Sequence, residues 1–127
     1  DILSGSSLAA SGSSATIHRI LNYFQDHYME DISGDSISDI FQCNFDYINR
    51  KFKQTTGKTI FYYLNELRIM MAKQYLQSGY YTISEVADKT GFHDVYYFSK
   101  VFKKYTGVSP LEYREFARLA REKNEAG

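Results

Sequence analysis

Arg50, Lys51, Lys53 and Lys58 fall within nine residues that hold no acid, and Lys100, Lys103 and Lys104 form a second acid-free cluster. Cations gathered in this way can neutralise phosphate, and an Arg or Lys on a helix face can also donate to the O6 and N7 edge of guanine. The two clusters have related surroundings. INRKFKQTTG at 48–57 returns as FSKVFKKYTG at 98–107, a shift of fifty places. Phe52, Lys53, Thr56 and Gly57 recur as Phe102, Lys103, Thr106 and Gly107, and Arg50 recurs as Lys100.

The formal net charge of the 127 residues is zero, which conceals this patterning. Between Ile20 and Asn49 stand Asp26, Glu30, Asp31, Asp35, Asp39 and Asp46, with no Lys or Arg. A phosphate meets the local field, so the two basic patches matter more than the sum. The even balance still predicts weaker non-specific affinity than a strongly basic domain has. Cys43 is the single cysteine, which excludes a disulfide framework and a thiolate metal cage and favours a reducing compartment, the cytoplasm. The chain shows no apolar run of membrane-spanning length and no signal-peptide pattern.

The elements that carry the clusters read as helices throughout, so the expected class is all-α. Residues 1–15, mostly Ser, Gly and Ala, have the composition of a flexible linker or a cloning remnant. Thr16 can cap a helix with apolar residues at Ile17, Ile20, Leu21, Phe24 and Tyr28. A weak helix over Asp35 to Gln42 is expected, with Gly34, Ser36 and Ser38 where apolar residues or Ala would serve better. Asn44 caps a helix from Phe45 to Thr56 that Gly57 ends. Thr59 opens a long helix to Ser78, with an apolar face wide enough to pack on two sides. Thr82 and Glu85 form a capping box, Asp94 caps the helix of the second copy, and Ser109 to Glu112 form another box with Pro110 at the first turn. The predicted organisation is a linker at 1–15, a first helix-turn-helix subdomain at 16–57, a connecting helix at 58–79, a second subdomain at 80–118 and a fraying tail at 119–127.

At about 100° per residue, Ile48 and Phe52 share an inward face, as do Phe98 and Phe102. Asp46, Asn49, Arg50 and Lys53 then line the outward side of the first helix, and Tyr96, Ser99, Lys100 and Lys103 that of the second. A short helix, a tight turn and a helix with a basic outer face make a helix-turn-helix. A lysine stripe on one helix is usually just a solvated face. Matched basic slots on two helices shift the reading towards recognition, although an old duplication can also preserve a fold alone. The aromatics, at i, i+4 spacing, are expected in the core rather than as stacking platforms.

RIMMAKQYL at 68–76, ISEVADKTGF at 83–92, YYFSKVFKKYTGVSP at 96–110 and YR at 113–114 resemble the DNA-binding domain of the AraC/XylS transcription regulators. The resemblance covers roughly residues 17–117. It implies about seven helices, with two helix-turn-helix subdomains joined by a long central helix and recognition helices at about 45–56 and 95–106. A central helix of about twenty residues spans roughly 30 Å, close to one turn of B-DNA, so the heads are expected to read successive major grooves. Carried across by the family pattern, base readers are expected at Asp46, Asn49 and Arg50 in the first head. In the second they are expected at Val95, Tyr96, Ser99 and Lys100. Lys53, Lys58, Lys103 and Lys104 are expected on phosphates, with helix N-termini near Thr59 and Ser109 adding N–H donors. Ile48, Phe52, Ala87, Gly91, Phe92, Phe98, Phe102 and Pro110 belong to the fold.

The first head departs from the pattern. Gly34 and Ser38 stand where Leu and Ala are expected, and Asp46 turns a negative charge towards DNA. The second head is therefore expected to supply more of the affinity and discrimination. The linker composition of residues 1–15 suggests a preceding sensing or dimerising domain. Contact with RNA polymerase is expected, with activation as the expected role, while recruitment and blocking of the polymerase both stay open. No catalytic, metal or cofactor constellation is legible: His18, His27 and His93 are scattered, Asp94 reads as a cap, and Cys43 reads as a small packing residue. The sequence is also compatible with two other readings, a helical protein-interaction module without DNA binding and an RNA or single-strand binder.

Overall fold

The computed structural model describes the backbone of residues 2–126 and the side chains of residues 12–125. Among the described residues there are seven helices and no strand. They are α1 (Ile2–His27), α2 (Gly34–Phe41), α3 (Phe45–Thr56), α4 (Ile60–Ser78), α5 (Ile83–Lys89), α6 (Val95–Thr106) and α7 (Pro110–Ala126). The chain divides into two compact units, Asp1–Leu64 and Asn65–Gly127. The division falls inside α4, whose residues 60–64 belong to the first unit and the remainder to the second.

In the first unit Ile17, Ile20 and Phe24 of α1 are buried with Ile37, Phe41, Ile48, Phe52, Ile60 and Leu64. In the second, Ile69, Ala72 and Leu76 of α4 cluster with Val86, Ala87, Phe92, Phe98, Val101 and Phe102. In each unit the recognition helix is held by a buried pair at i, i+4 spacing, Ile48 and Phe52 in α3 and Phe98 and Phe102 in α6. Phe52 meets Tyr63 edge to face at 5.7 Å, and Phe102 meets Tyr113 in the same way at 5.5 Å. Burying a phenyl ring of this kind stabilises by roughly 1.5–3 kcal/mol before any geometric preference.

Three expectations are corrected at the ends of the chain and in α2. α1 begins at Ile2 and runs through the residues expected to form a linker; Asp1 lies outside the described residues. Thr16 is inside this helix, and its hydroxyl donates to the Gly12 carbonyl at 2.9 Å instead of capping. Ser and Gly weaken a helix by at most about 1 kcal/mol each, and extending an existing helix needs no new nucleus. α7 runs to Ala126 rather than fraying from 119. Arg118 pairs with Glu115 and Glu122 one turn away on either side, and the Arg121 guanidinium donates to the Gln77 carbonyl near the end of α4. α2 is better capped than its composition suggested. The Ser33 hydroxyl accepts from the Ser36 N–H at 3.1 Å while the Ser33 N–H donates to the Ser36 hydroxyl at 2.7 Å, a capping box made by two serines.

Candidate nucleic-acid interface

Each recognition helix is bounded by the same chemistry. The Asn44 carboxamide accepts from the Tyr47 N–H at 2.9 Å, and the Asp94 carboxylate accepts from the N–H groups of Tyr96 and Tyr97. At the other end Gly57 and Gly107 adopt φ of 84° and 87°, a conformation open to glycine at little cost, and their N–H groups close on the carbonyls of Lys53 and Lys103. The hydroxyl of Thr56 donates to Phe52 O and accepts from the Lys58 N–H, and Thr106 repeats both bonds with Phe102 and Val108. The repeat seen in the sequence is therefore a repeat of bonds as well as of letters, and it runs on into the first turns of α4 and α7.

With Ile48 and Phe52 buried, α3 presents Asp46, Arg50 and Lys53 to solvent. With Phe98, Val101 and Phe102 buried, α6 presents Tyr96, Lys100, Lys103 and Lys104. Tyr96 is 85% exposed, which separates it from the core aromatics. Val95 and Ser99 are half-buried on α6, and Lys58 is exposed just beyond α3. Gln54 stands on α3 where α6 carries Lys104, and Lys51 stands where α6 carries the buried Val101, so each helix bears three cations and α3 alone adds an exposed carboxylate, Asp46.

Asn49 differs from its neighbours. It is half-buried, and its side-chain oxygen accepts from the Ile60 N–H at 2.9 Å, the first amide of α4. The helix ends also differ from bare anion sites. The Thr59 hydroxyl accepts from the Tyr62 N–H, and at α7 the Ser109 N–H donates to the Glu112 carboxylate while the Ser109 hydroxyl accepts from the Glu112 N–H. These bonds hold the Glu112 carboxyl below its ordinary value, so a negative charge already occupies that helix start.

The sequence gives no role to Tyr47 and Tyr97, and to Lys51 only a place in the first basic cluster. The Tyr47 hydroxyl shares a hydrogen bond with the Ser13 hydroxyl of α1 at 3.2 Å, and the Lys51 ammonium lies 5.6 Å from the Tyr47 ring centre. Tyr97 is half-exposed, with its ring 6.1 Å from that of Phe92. Tyr47 and Tyr97 are fifty places apart, and that matched aromatic pair was the available signal. Cys43 sits in the turn before α3, where partial burial pushes its thiol pKa up and keeps it protonated. No group of three or more His, Cys, Asp or Glu is gathered for a metal among the described residues, and no helix among them is long and apolar enough to cross a membrane.

A family described as a helix-turn-helix domain matches residues 37–115, from α2 into α7. The transcriptional activator RhaS of Enterobacter sp. strain 638 is 31% identical over 101 residues, covering 80% of this chain and 36% of the relative. The chain thus spans little more than a third of that curated relative. The solved C-terminal domain of AraT, a response regulator from Geobacillus stearothermophilus, superposes with a TM-score of 0.77 at 31% identity, covering 80% of this chain and 84% of the other. A transcriptional regulator from Chromobacterium violaceum, described by its AraC-type DNA-binding domain, gives 0.73 at 25% identity over 84% of this chain and 96% of the other.

Proposed function

The chain belongs to the AraC/XylS-type helix-turn-helix DNA-binding domains of transcription regulators, and on that premise we propose that each of its units is one reading head for duplex DNA. α3 and α6 enter successive major grooves. The observation that carries this reading is the pair of recognition helices with the same caps, the same buried ring at Phe52 and Phe102, and cations in the matching outward slots Arg50/Lys100 and Lys53/Lys103. A solvated stripe would not need the same register twice.

Arg50 and Lys100 donate to guanine in this account, Asp46 accepts from cytosine N4, and Val95 meets a thymine methyl. Tyr96 and Ser99 complete the second reading face. Lys53, Lys58, Lys103 and Lys104 hold phosphates and set register without reading sequence. In the whole protein the domain would serve activation in the cytoplasm through RNA polymerase, under the control of a sensing or dimerising domain. Titrating a duplex at several salt concentrations tests the core of the proposal. Four phosphate contacts predict that log K falls with log salt at a slope of about −3.6. Binding indifferent to salt, or stronger for single strands than for duplex, would reject it in favour of a protein-interaction module or a single-strand binder.

A further inference from the structure

We infer that Asn49 is a positioning residue of the first head and not one of its base readers, an inference that rests on the DNA reading proposed above. The first amide of a helix has no acceptor within that helix. At α4 this amide belongs to Ile60, whose side chain is fully buried, and the Asn49 side-chain oxygen accepts from it at 2.9 Å. One carboxamide therefore ties the middle of α3 to the start of α4. Reading adenine would require the same oxygen to accept from N6 while the amide nitrogen donates to N7. An Asn49 turned outward to do so would leave the Ile60 N–H without its acceptor at a part-buried position.

The second head shows why the residue is there. Asn49 is the fifth residue of α3 and Ser99 the fifth of α6, while Ile60 opens α4 and Pro110 opens α7. Proline has no N–H, so nothing at position 99 has to satisfy one. The two positions differ together between the heads: a long acceptor where the amide exists, a short hydroxyl where it does not. Discrimination in the first head then falls to Asp46 and Arg50, both exposed on α3.

The test is a double-mutant cycle on positions 49 and 60, read by thermal stability and by affinity for a duplex selected with the unaltered protein and for its single-base variants. Asn49→Ala is expected to lower the melting temperature and to weaken every duplex alike, by about 3- to 10-fold. In the Ile60→Pro background the same change is expected to alter affinity by less than about 2-fold, since no amide remains to satisfy. Asn49→Asp, which keeps an oxygen for the Ile60 N–H, is expected to retain most of the melting temperature, and it decides the matter if Ile60→Pro does not fold. A changed preference at one base pair after Asn49→Ala would overturn the inference, as would unchanged affinity despite a lower melting temperature. Failure of the unaltered protein to bind any duplex would remove the DNA reading itself. The cycle in melting temperature would then report the contact alone.

Discussion

A Cβ placed on Gly34 would stand 3.3 Å from the ring of Phe45, which in turn lies 5.6 Å from the ring of Phe61. The second unit has Ile83 and Val95 at the corresponding helix starts. In the first head the ring of Phe45, on the recognition helix, takes the space that a side chain at Gly34 would fill, whereas the second head has an apolar side chain at both positions. A comparable exchange occurs between the middle of the recognition helix and the start of the helix after it, with Asn49 and Ile60 in one unit and Ser99 and Pro110 in the other. Gly34 is therefore not a flaw in the first head, as the sequence pattern suggested, but half of a compensated pair. What does differ on the outside is charge: Asp46 and Gln54 face solvent on α3 where Tyr96 and Lys104 do so on α6. Architecture has been kept twice by different residues, while the reading faces have diverged.

The largest expected effect tests whether the cores are equivalent. Phe52→Ala and Phe102→Ala each empty a fully buried position and should each cost about 3–5 kcal/mol, measured by chemical denaturation with hydrogen exchange resolved by unit. A clear inequality would break the equivalence. Next, Lys100→Ala should weaken duplex binding by about 1–3 kcal/mol, and Arg50→Ala by less, because Asp46 opposes phosphate on the same face. A larger loss at Arg50, in titrations at one salt concentration, would reverse the assignment of the stronger head. Smaller again, Gly34→Ala should destabilise the first unit by about 1 kcal/mol by pushing on a Phe45 ring backed by Phe61. The double change with Phe45→Val should recover that loss in thermal melts; no recovery would mean the ring is not the obstacle.

Much of this is legible in the sequence. Asn44, Thr82, Asp94, Ser109 and the glycines at 57 and 107 are local signals, satisfied within one turn, and they place α3, α5, α6 and the start of α7 where the sequence predicts them. Ser33 and Ser36 were missed because a serine, not the usual Glu or Gln, closes the box. The bond from Asn49 to Ile60 joins residues on two helices, so helical periodicity on α3 shows only an outward polar slot. The extension of α7 depends on Arg121 finding a carbonyl of α4, a partner invisible to composition. The outward slots themselves followed from the repeat, since a buried ring at one position fixes which neighbours face away.

The smallest effect separates the heads by pH. Glu85 and Glu112 in the second unit lie below their ordinary value of 4.5, chiefly because they accept from the backbone N–H groups of Thr82 and Ser109. Carboxyls depressed in the folded state contribute fully above 4.5, and that contribution fades as pH drops through their lowered values. The serine box of the first unit carries no such group. Hydrogen exchange should therefore show α5 and the start of α7 loosening in acid before α2 does, and Glu85→Gln should remove the α5 part of that dependence. Equal loosening of α2 and α5 would contradict the capping account.

The measurement that bears most directly on the two-headed reading is selection of bound duplexes from a randomised pool, with the unaltered, Arg50→Ala and Lys100→Ala proteins in parallel. The account predicts two short motifs about ten base pairs apart, one blurred by each substitution, with the greater loss of enrichment from Lys100→Ala. A folded protein that retains no duplex, or a single motif indifferent to both substitutions, would contradict it.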